Sequence, residues 1–265
     1  MSAVRPLALI TGASGGIGEA LAHAFARAGH DVALAARSEA KLEAVAAAIR
    51  AHAVQAHVLP VDLLEPGAGA DLEALVAERG LVVDALVNNA GYGLTGAVLA
   101  QDLDDQLAMI DLNVRVLTEL AWRFGRPMQA RGRGGILNVA STAAFQPGPY
   151  MAVYYATKAY VLSFTEALNH ELRGSGVHAT ALCPGPVATG FQERAAFDDS
   201  MALLKVAPMM TADAVAQAGL DAFQRRRPVA IPGVSNFAMA KSAAFTPRAV
   251  LLRVVEGLQK KKDAA

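Results

Sequence analysis

The stretch Leu7-Ala8-Leu9-Ile10-Thr11-Gly12-Ala13-Ser14-Gly15-Gly16-Ile17-Gly18 runs from a short apolar segment into a glycine-rich turn, and a helical pattern follows over Gly16–Ala28. Strand, tight turn and helix in that order build a cradle for a phosphate. Glycines let the backbone turn sharply and approach a pyrophosphate, while the first helical turn offers unpaired N–H groups and a partial positive charge. Glycine turns also occur with no ligand, so the strand before and the helix after carry the reading. The spacing is Gly-x-x-x-Gly-x-Gly, through Gly12, Gly16 and Gly18, and not the commoner Gly-x-Gly-x-x-Gly.

Outward from this unit, β-rich apolar runs alternate with longer helical patterns as far as about residue 233. Leu7–Thr11, Asp31–Ala36, Val54–Val61, Val82–Val87, Gly135–Ala140, Val177–Leu182 and Val229–Ile231 read as strands. Gly16–Ala28, Glu39–Ala51, Ala70–Arg79, Leu103–Ala130, Ala152–Arg173 and Ala212–Arg225 read as helices. Strands apolar on both faces and joined by helices imply an α/β fold, a doubly wound seven-stranded parallel sheet with helices on both faces. Ligands bind such sheets at the carboxyl ends of the strands.

Composition narrows the function classes. Of 265 residues, 54% are hydrophobic and 18% charged, which excludes a disordered chain, and no linker divides what reads as one domain over residues 1–265. With 24 basic and 24 acidic residues the net charge is zero, so no global field draws nucleic acid or an anionic membrane; a small-molecule partner fits better. The single cysteine, Cys183, precludes an intramolecular disulfide and suits a reducing compartment. With no signal peptide and no apolar run long enough to span a bilayer, a soluble cytoplasmic protein is expected. No metal ligand set is expected.

Two stretches interrupt the strand and helix rhythm. Residues 190–210 hold Phe191, Phe197, Met201, Leu203, Leu204, Met209 and Met210 among mixed charges, after a strand's carboxyl end, and read as a substrate-covering segment or an ordinary surface helix. Residues 234–265 read as a helical tail: after Thr246-Pro247, Leu251, Val254, Val255 and Leu258 fall on one stripe, followed by Lys260-Lys261-Lys262. The stripe is expected to pack on the body or a neighbouring subunit; the alternative is contact with a membrane surface.

Chemistry enters with Tyr154-Tyr155-Ala156-Thr157-Lys158. Residues four apart share a helix face, so Tyr154 and Lys158 stand together, and a fixed ammonium favours the phenolate and lowers the phenol's pKa. Such a pair arises often by accident; what raises it is its company. Asn88-Asn89-Ala90-Gly91 follows the fourth strand, Ser141 the fifth, Tyr154 and Lys158 come thirteen and seventeen residues later, and Pro184-Gly185 follows the sixth.

Over residues 5–233 the order, spacing and strand-end placement of these motifs resemble the short-chain dehydrogenase/reductase family, with its Rossmann sheet. The resemblance implies a hydride transfer between a nicotinamide and a carbonyl or alcohol substrate, with Asn113, Ser141, Tyr154 and Lys158 as the catalytic set. Tyr154 is then the general acid or base, Ser141 orients the substrate oxygen, Lys158 lowers the Tyr154 pKa and binds the nicotinamide ribose, and Asn113 holds a water that links Lys158 to solvent. It further implies cofactor contacts from Gly12, Ser14, Gly16, Ile17 and Gly18 at the turn, and from Asp62, Asn89, Ala90 and Gly91 on the adenosine side. Tyr154, Lys158, Pro184, Gly185, Val187 and Thr189 serve the nicotinamide end.

At the end of the second strand, Ala36-Arg37 stands where a carboxylate would bond the adenosine ribose and repel a 2′-phosphate. A guanidinium pairs with that phosphate, so NADP is favoured over NAD. Gly15, where many NADP-using relatives carry a second basic residue, argues against strict specificity. Phe145, Pro147, Tyr150 and the segment 190–210 suggest a hydrophobic pocket for a ketone or acyl compound. A homodimer or homotetramer is expected. The alternative function is a catalytically silent NADP-binding regulator, which an intact catalytic set disfavours.

Overall fold

Strands β1 (Leu7–Thr11) and β6 (Val177–Leu182) are buried along their whole length, as strands covered on both faces must be. The computed structural model describes residues 5–191 and 209–259. Phe197, Met201, Leu203 and Leu204 of the expected covering segment, and the lysines at 260–262, lie outside them. With β2 (Asp31–Ala36), β3 (Ala56–Pro60), β4 (Val83–Asn88), β5 (Gly134–Val139) and β7 (Val229–Ala230), these strands form one seven-stranded parallel sheet in the order β3-β2-β1-β4-β5-β6-β7. The order reverses between β1 and β4, and a crevice opens there at their carboxyl ends.

Side-chain alternation along each strand decides which helices it supports. Ala8 and Ile10 of β1, with Val32 and Leu34 of β2, face Leu21 and Phe25 of α1 (Gly16–Arg27), Leu42 and Ile49 of α2 (Glu39–Arg50), and Val215 and Leu220 of α7 (Ala212–Gln224). Leu7 and Leu9, with Ala33 and Ala35, face the other layer. There Leu72 and Val76 come from α3 (Ala68–Glu78), Met109 from α4 (Leu103–Ile110), Leu120 and Phe124 from α5 (Leu117–Arg131), and Tyr154 and Tyr155 from α6 (Ala152–Glu171). Each large side chain so buried contributes about 1.5–3 kcal/mol.

One element differs from the sequence reading. The helix expected over Leu103–Ala130 is interrupted by a π-helical turn, Asp111–Val116, between α4 and α5. A wider turn adds a residue to the helical circuit, and here it carries Asn113 inward to bond the Tyr92 backbone. Beyond β7, α8 (Val234–Ala243) lies in the stretch read as a helical tail; Val234, Phe237 and Met239 are exposed while Ala240 and Ala243 are buried, so no apolar period marks it. Helix α9 (Arg248–Gln259) follows Thr246-Pro247 as expected. Its buried line runs through Leu251, Val255 and Gln259 at steps of four, and Val254, expected on the stripe, faces out.

Gly18 is where α1 presses on the turn that precedes it. A Cβ there would overlap the Gly12 carbonyl and lie 2.5 Å from Asn89 Nδ2. Gly18→Ala must therefore push α1 off the sheet, at a cost of about 1–3 kcal/mol. In urea unfolding the midpoint should fall with little change of slope; an unchanged midpoint would show that α1 shifts freely.

Candidate active site

A cavity of about 680 Å³ runs along the carboxyl ends of the strands, from the β2 and β3 ends at one extreme to α6, α8 and α9 at the other. Its floor is braced by Thr11. The Thr11 hydroxyl accepts the N–H groups of Asn89 and Ala90, both at 3.0 Å, and the Asn89 side chain donates back to the Thr11 carbonyl at 3.0 Å. Gly12 between them has φ +65°, and a Cβ on it would lie 2.9 Å from Asn89 Nδ2. Glycine alone fits both demands, and it leaves the turn open to a phosphate. Ser14, Gly16 and Ile17 line the cavity with Gly12.

At the β2 and β3 ends, Arg37 and Asp62 both line the cavity, with 3.9 Å between Nη1 and Oδ2. More than half of the Arg37 side chain is exposed, so Asp62 holds it only weakly and the guanidinium can serve an anion as well. Ser38 and Lys41, which the sequence reading missed, line the same cavity. Lys41 lies in the first turn of α2, four residues past Arg37, and that spacing is the signal that could have found it. It places a second cation beside Arg37 at this end of the cavity.

In mid-cavity stand Ser141, Tyr154 and Lys158. Ser141 caps the short helical turn Thr142–Phe145, its hydroxyl accepting the Ala143 N–H at 3.1 Å, and it is hydrogen-bonded to Tyr154. Lys158 Nζ donates to the Val139 carbonyl at 2.8 Å and lies 5.8 Å from the centre of the Tyr154 ring. Burial pushes the ammonium down to about 8. Burial also raises the Tyr154 phenol well above its ordinary value, the Ser141 bond pulling it back and Tyr155 adding to the rise. The lowering of Tyr154 expected from Lys158 does not occur in this structure: burial of the phenol dominates, and the opposing pull comes from Ser141.

Asn89, Ala90, Gly91, Pro184, Gly185, Val187 and Thr189, expected as cofactor contacts, line the cavity. Two expected site residues do not. Gly18 lies behind the turn, where it seats α1. Asn113 lies beneath the loop after β4: its Oδ1 accepts the Tyr92 N–H at 3.1 Å, and its Nδ2 donates to the Tyr92 carbonyl at 2.9 Å and to Thr157 Oγ1 at 3.1 Å. Fully buried, it is no exposed helical polar group. Gly91 is fitted against it, since a Cβ there would lie 2.7 Å from Asn113 Oδ1 and 3.7 Å from Lys158 Nζ.

The apolar end of the cavity departs further from expectation. Phe145, Pro147 and Tyr150 are not in its wall. Phe145 packs against Leu117 and Val161 behind β5, and Tyr150, at φ +64°, gives its carbonyl to the Gly96 N–H. Met151, Tyr155, Phe191, Met239, Val255 and Leu258 line it instead. Three of these come from α8 and α9, and Asn236 of α8 packs on Gly185, where a Cβ would overlap its amide. The tail packs on the body.

A family model described as short chain dehydrogenase matches residues 6–199. The chain belongs to that family. A short chain dehydrogenase of Pseudocercospora fijiensis is 36% identical over 77% of this chain, which spans 65% of that relative's length. The monensin polyketide synthase putative ketoacyl reductase of Streptomyces virginiae is 39% identical over 71% of this chain and 73% of its own. Among solved structures, a short-chain dehydrogenase from Sphingobium yanoikuyae in complex with NADPH is 33% identical and superposes with a TM-score of 0.81 over 98% of each chain. A bulky-bulky ketone specific alcohol dehydrogenase from Comamonas testosteroni is 28% identical, with a TM-score of 0.76 over 98% of this chain and 97% of that one.

In this short-chain dehydrogenase the buried ammonium makes a prediction about stability. The Lys158 pKa falls from 10.5 to about 8 on folding, so between those values the native state binds fewer protons than the unfolded chain. Stability from this residue therefore rises with pH across that window, and below it the whole burial penalty is present. Lys158→Met should stabilise the protein at neutral pH by on the order of 2 kcal/mol, after the lost bond to Val139, and flatten the rise. Urea unfolding of parent and variant on both sides of the window checks this. A variant less stable than the parent at neutral pH, with the rise intact, would refute it.

Proposed function

We propose that this chain is an NADP-preferring reductase or dehydrogenase that exchanges a hydride between the nicotinamide and a carbonyl or alcohol carbon of a hydrophobic ketone or acyl compound. The observation that carries the reading is that Ser141, Tyr154 and Lys158 share one cavity wall with the glycine turn. The cavity is long, cationic at the β2 end through Arg37 and Lys41, and apolar at the other, which suits a dinucleotide phosphate at one end and an apolar substrate at the other. The printed descriptions of the Sphingobium and Comamonas proteins, NADPH-bound and ketone-specific respectively, point the same way.

When bound, the nicotinamide supplies or accepts the hydride. The residues of the chain handle the proton and the oxygen. Tyr154, a neutral phenol by its burial, gives its proton to the oxygen that becomes an alcohol. Ser141, fixed by the Ala143 N–H, hydrogen-bonds the same oxygen and sets its position. Lys158 stabilises the phenolate left behind and serves the nicotinamide ribose; it can do the first because its ammonium is largely desolvated. Asn113 acts from behind, holding the Gly91–Tyr92 backbone against Lys158, and the water that links Lys158 to solvent is assigned to it. Exposed Leu103, Leu107, Ile110, Trp122 and Tyr160 on α4, α5 and α6 fit a homodimer or homotetramer; the mass from light scattering should be a multiple of the 27.5 kDa chain.

Tyr154→Phe keeps the ring and its contacts with Phe191 and Tyr155 while removing the proton. It should fold and bind NADPH, and lose ~10²–10⁴ in kcat on any ketone the parent reduces. NADPH absorbance with a ketone panel reads the rate, and cofactor fluorescence reads binding. Comparable kcat for the two proteins would remove Tyr154 from the mechanism, and an absence of turnover in the parent across the panel would favour the silent regulator. For cofactor choice, Arg37→Asp with Lys41→Ala should lower the preference for NADPH over NADH by ~10²-fold or more. An unchanged ratio of dissociation constants would show that neither cation reads the phosphate.

A further inference from the structure

Gln259, near the carboxyl end of α9, is 1% exposed and lines the cavity with Val255 and Leu258. Its Nε2 donates to Tyr155 Oη at 2.6 Å, but its Oε1 is buried with no hydrogen-bond partner among the described residues. An unmade buried acceptor costs about 1–3 kcal/mol. A leucine or methionine would fill the position without that cost, unless a second molecule uses the free group. The surroundings are apolar: Val255, Met151, Tyr154 and Tyr155 belong to one cluster, with Phe191 packed against it.

Tyr155 completes the polar pair. Burial pushes its phenol up to about 12, so it is a neutral hydroxyl that accepts from Gln259 and retains a proton to give. The pair therefore offers an acceptor, Gln259 Oε1, beside a donor, the Tyr155 O–H, with the second N–H of Nε2 also unused. Reversing the amide also leaves a donor beside an acceptor, since Tyr155 would then donate to Oε1 and leave the N–H groups of Nε2 to give and the Tyr155 oxygen to accept. A donor beside an acceptor in an apolar wall is the complement of an alcohol.

We propose that Gln259 and Tyr155 bind a second, non-reacting hydroxyl of the substrate, so that the preferred substrates are apolar ketones that carry an alcohol away from the carbonyl being reduced. The proposal rests on reading the cavity as that of a ketone reductase. Tyr155 adjoins Tyr154 in sequence, with 6.1 Å between ring centres, so the recognition point is held on the same helical turn as the proton donor. A site built to bond a hydroxyl discriminates strongly against the analogue that lacks it, because its own polar groups are then left unpaired.

The test uses the full chain with NADPH and a graded series of methyl ketones, each with and without a terminal hydroxyl. For at least one chain length, the parent should prefer the hydroxylated member by ~10-fold or more in kcat/KM. Gln259→Leu and Tyr155→Phe should each bring that ratio close to one. A ratio near one in the parent at every length, or a preference that survives both substitutions, overturns the proposal. A purely structural clamp between α9 and α6 would lower both members of a pair equally, leave the ratio intact, and so overturn it too. Should Gln259→Leu fail to fold, Tyr155→Phe, which keeps the ring, reads the same hydroxyl. Calorimetric binding of the same compounds separates the two readings: with no ketone turned over, the reductase reading fails, while a hydroxyl preference in binding that both variants abolish still upholds the recognition pair.

Discussion

An ammonium group taken out of water must find compensation, and at Lys158 a single backbone carbonyl supplies most of it. That carbonyl, on Val139, is the last of β5, and neither neighbouring strand claims it. The Cys183 N–H on the β6 side goes to Ala230, and the Asn89 N–H on the β4 side goes to Thr11 Oγ1. The sheet thus ends in a pattern that leaves one acceptor over, and α6 uses it to hold its lysine. Once Lys158 is fixed there, helical geometry places Tyr154 one turn earlier on the same face, and Ser141, two residues beyond Val139, comes within hydrogen-bond reach of the phenol.

Several other buried polar groups serve the same end of the sheet. Asn88 donates to Asn138 at 3.0 Å, Asn138 to Thr165 at 2.9 Å, and Thr165 to the Val161 carbonyl at 2.6 Å, a chain that links β4, β5 and α6. Asn113 adds the loop after β4 through Tyr92 and Thr157. Each bond is worth only about 1 kcal/mol net, but breaking one strands a polar group in the core. Such a network favours one arrangement of strand ends over its neighbours, and the relative placement of Ser141, Tyr154 and Lys158 depends on that arrangement.

What was legible in the sequence is what local pattern decides. The strand and helix alternation, the glycine turn, and the placement of Ser141, Tyr154 and Lys158 follow from spacing along single elements. The π turn at Asp111–Val116 was not legible, because the pressure that widens the helix comes from Tyr92 and Thr157, 21 and 44 residues away in sequence. Gly18 reads as one more glycine of the phosphate turn, and only the proximity of the Gly12 carbonyl reveals that it serves packing. Phe145 and Tyr150 are near Tyr154 in sequence, yet the turn at Thr142–Phe145 and the positive φ at Tyr150 keep them out of the wall. Helix α8 has no apolar period to read.

The two ends of the cavity have different origins in the chain. The cofactor-sized end is built from the glycine turn, Arg37, Asp62 and the loop after β4, all within residues 6–199, the part that the short chain dehydrogenase model matches. Much of the apolar end is built by α8 and α9, residues 234–259, which lie outside it. Residues there carry no constraint from the phosphate cradle or from the Lys158 site; they need only pack on α6 and on the Pro184-Gly185 turn, as Val255 and Asn236 do. A wall under so weak a geometric constraint can change its side chains while Ser141, Tyr154 and Lys158 stay in place. The apolar end of the cavity is therefore shaped where the family model does not reach.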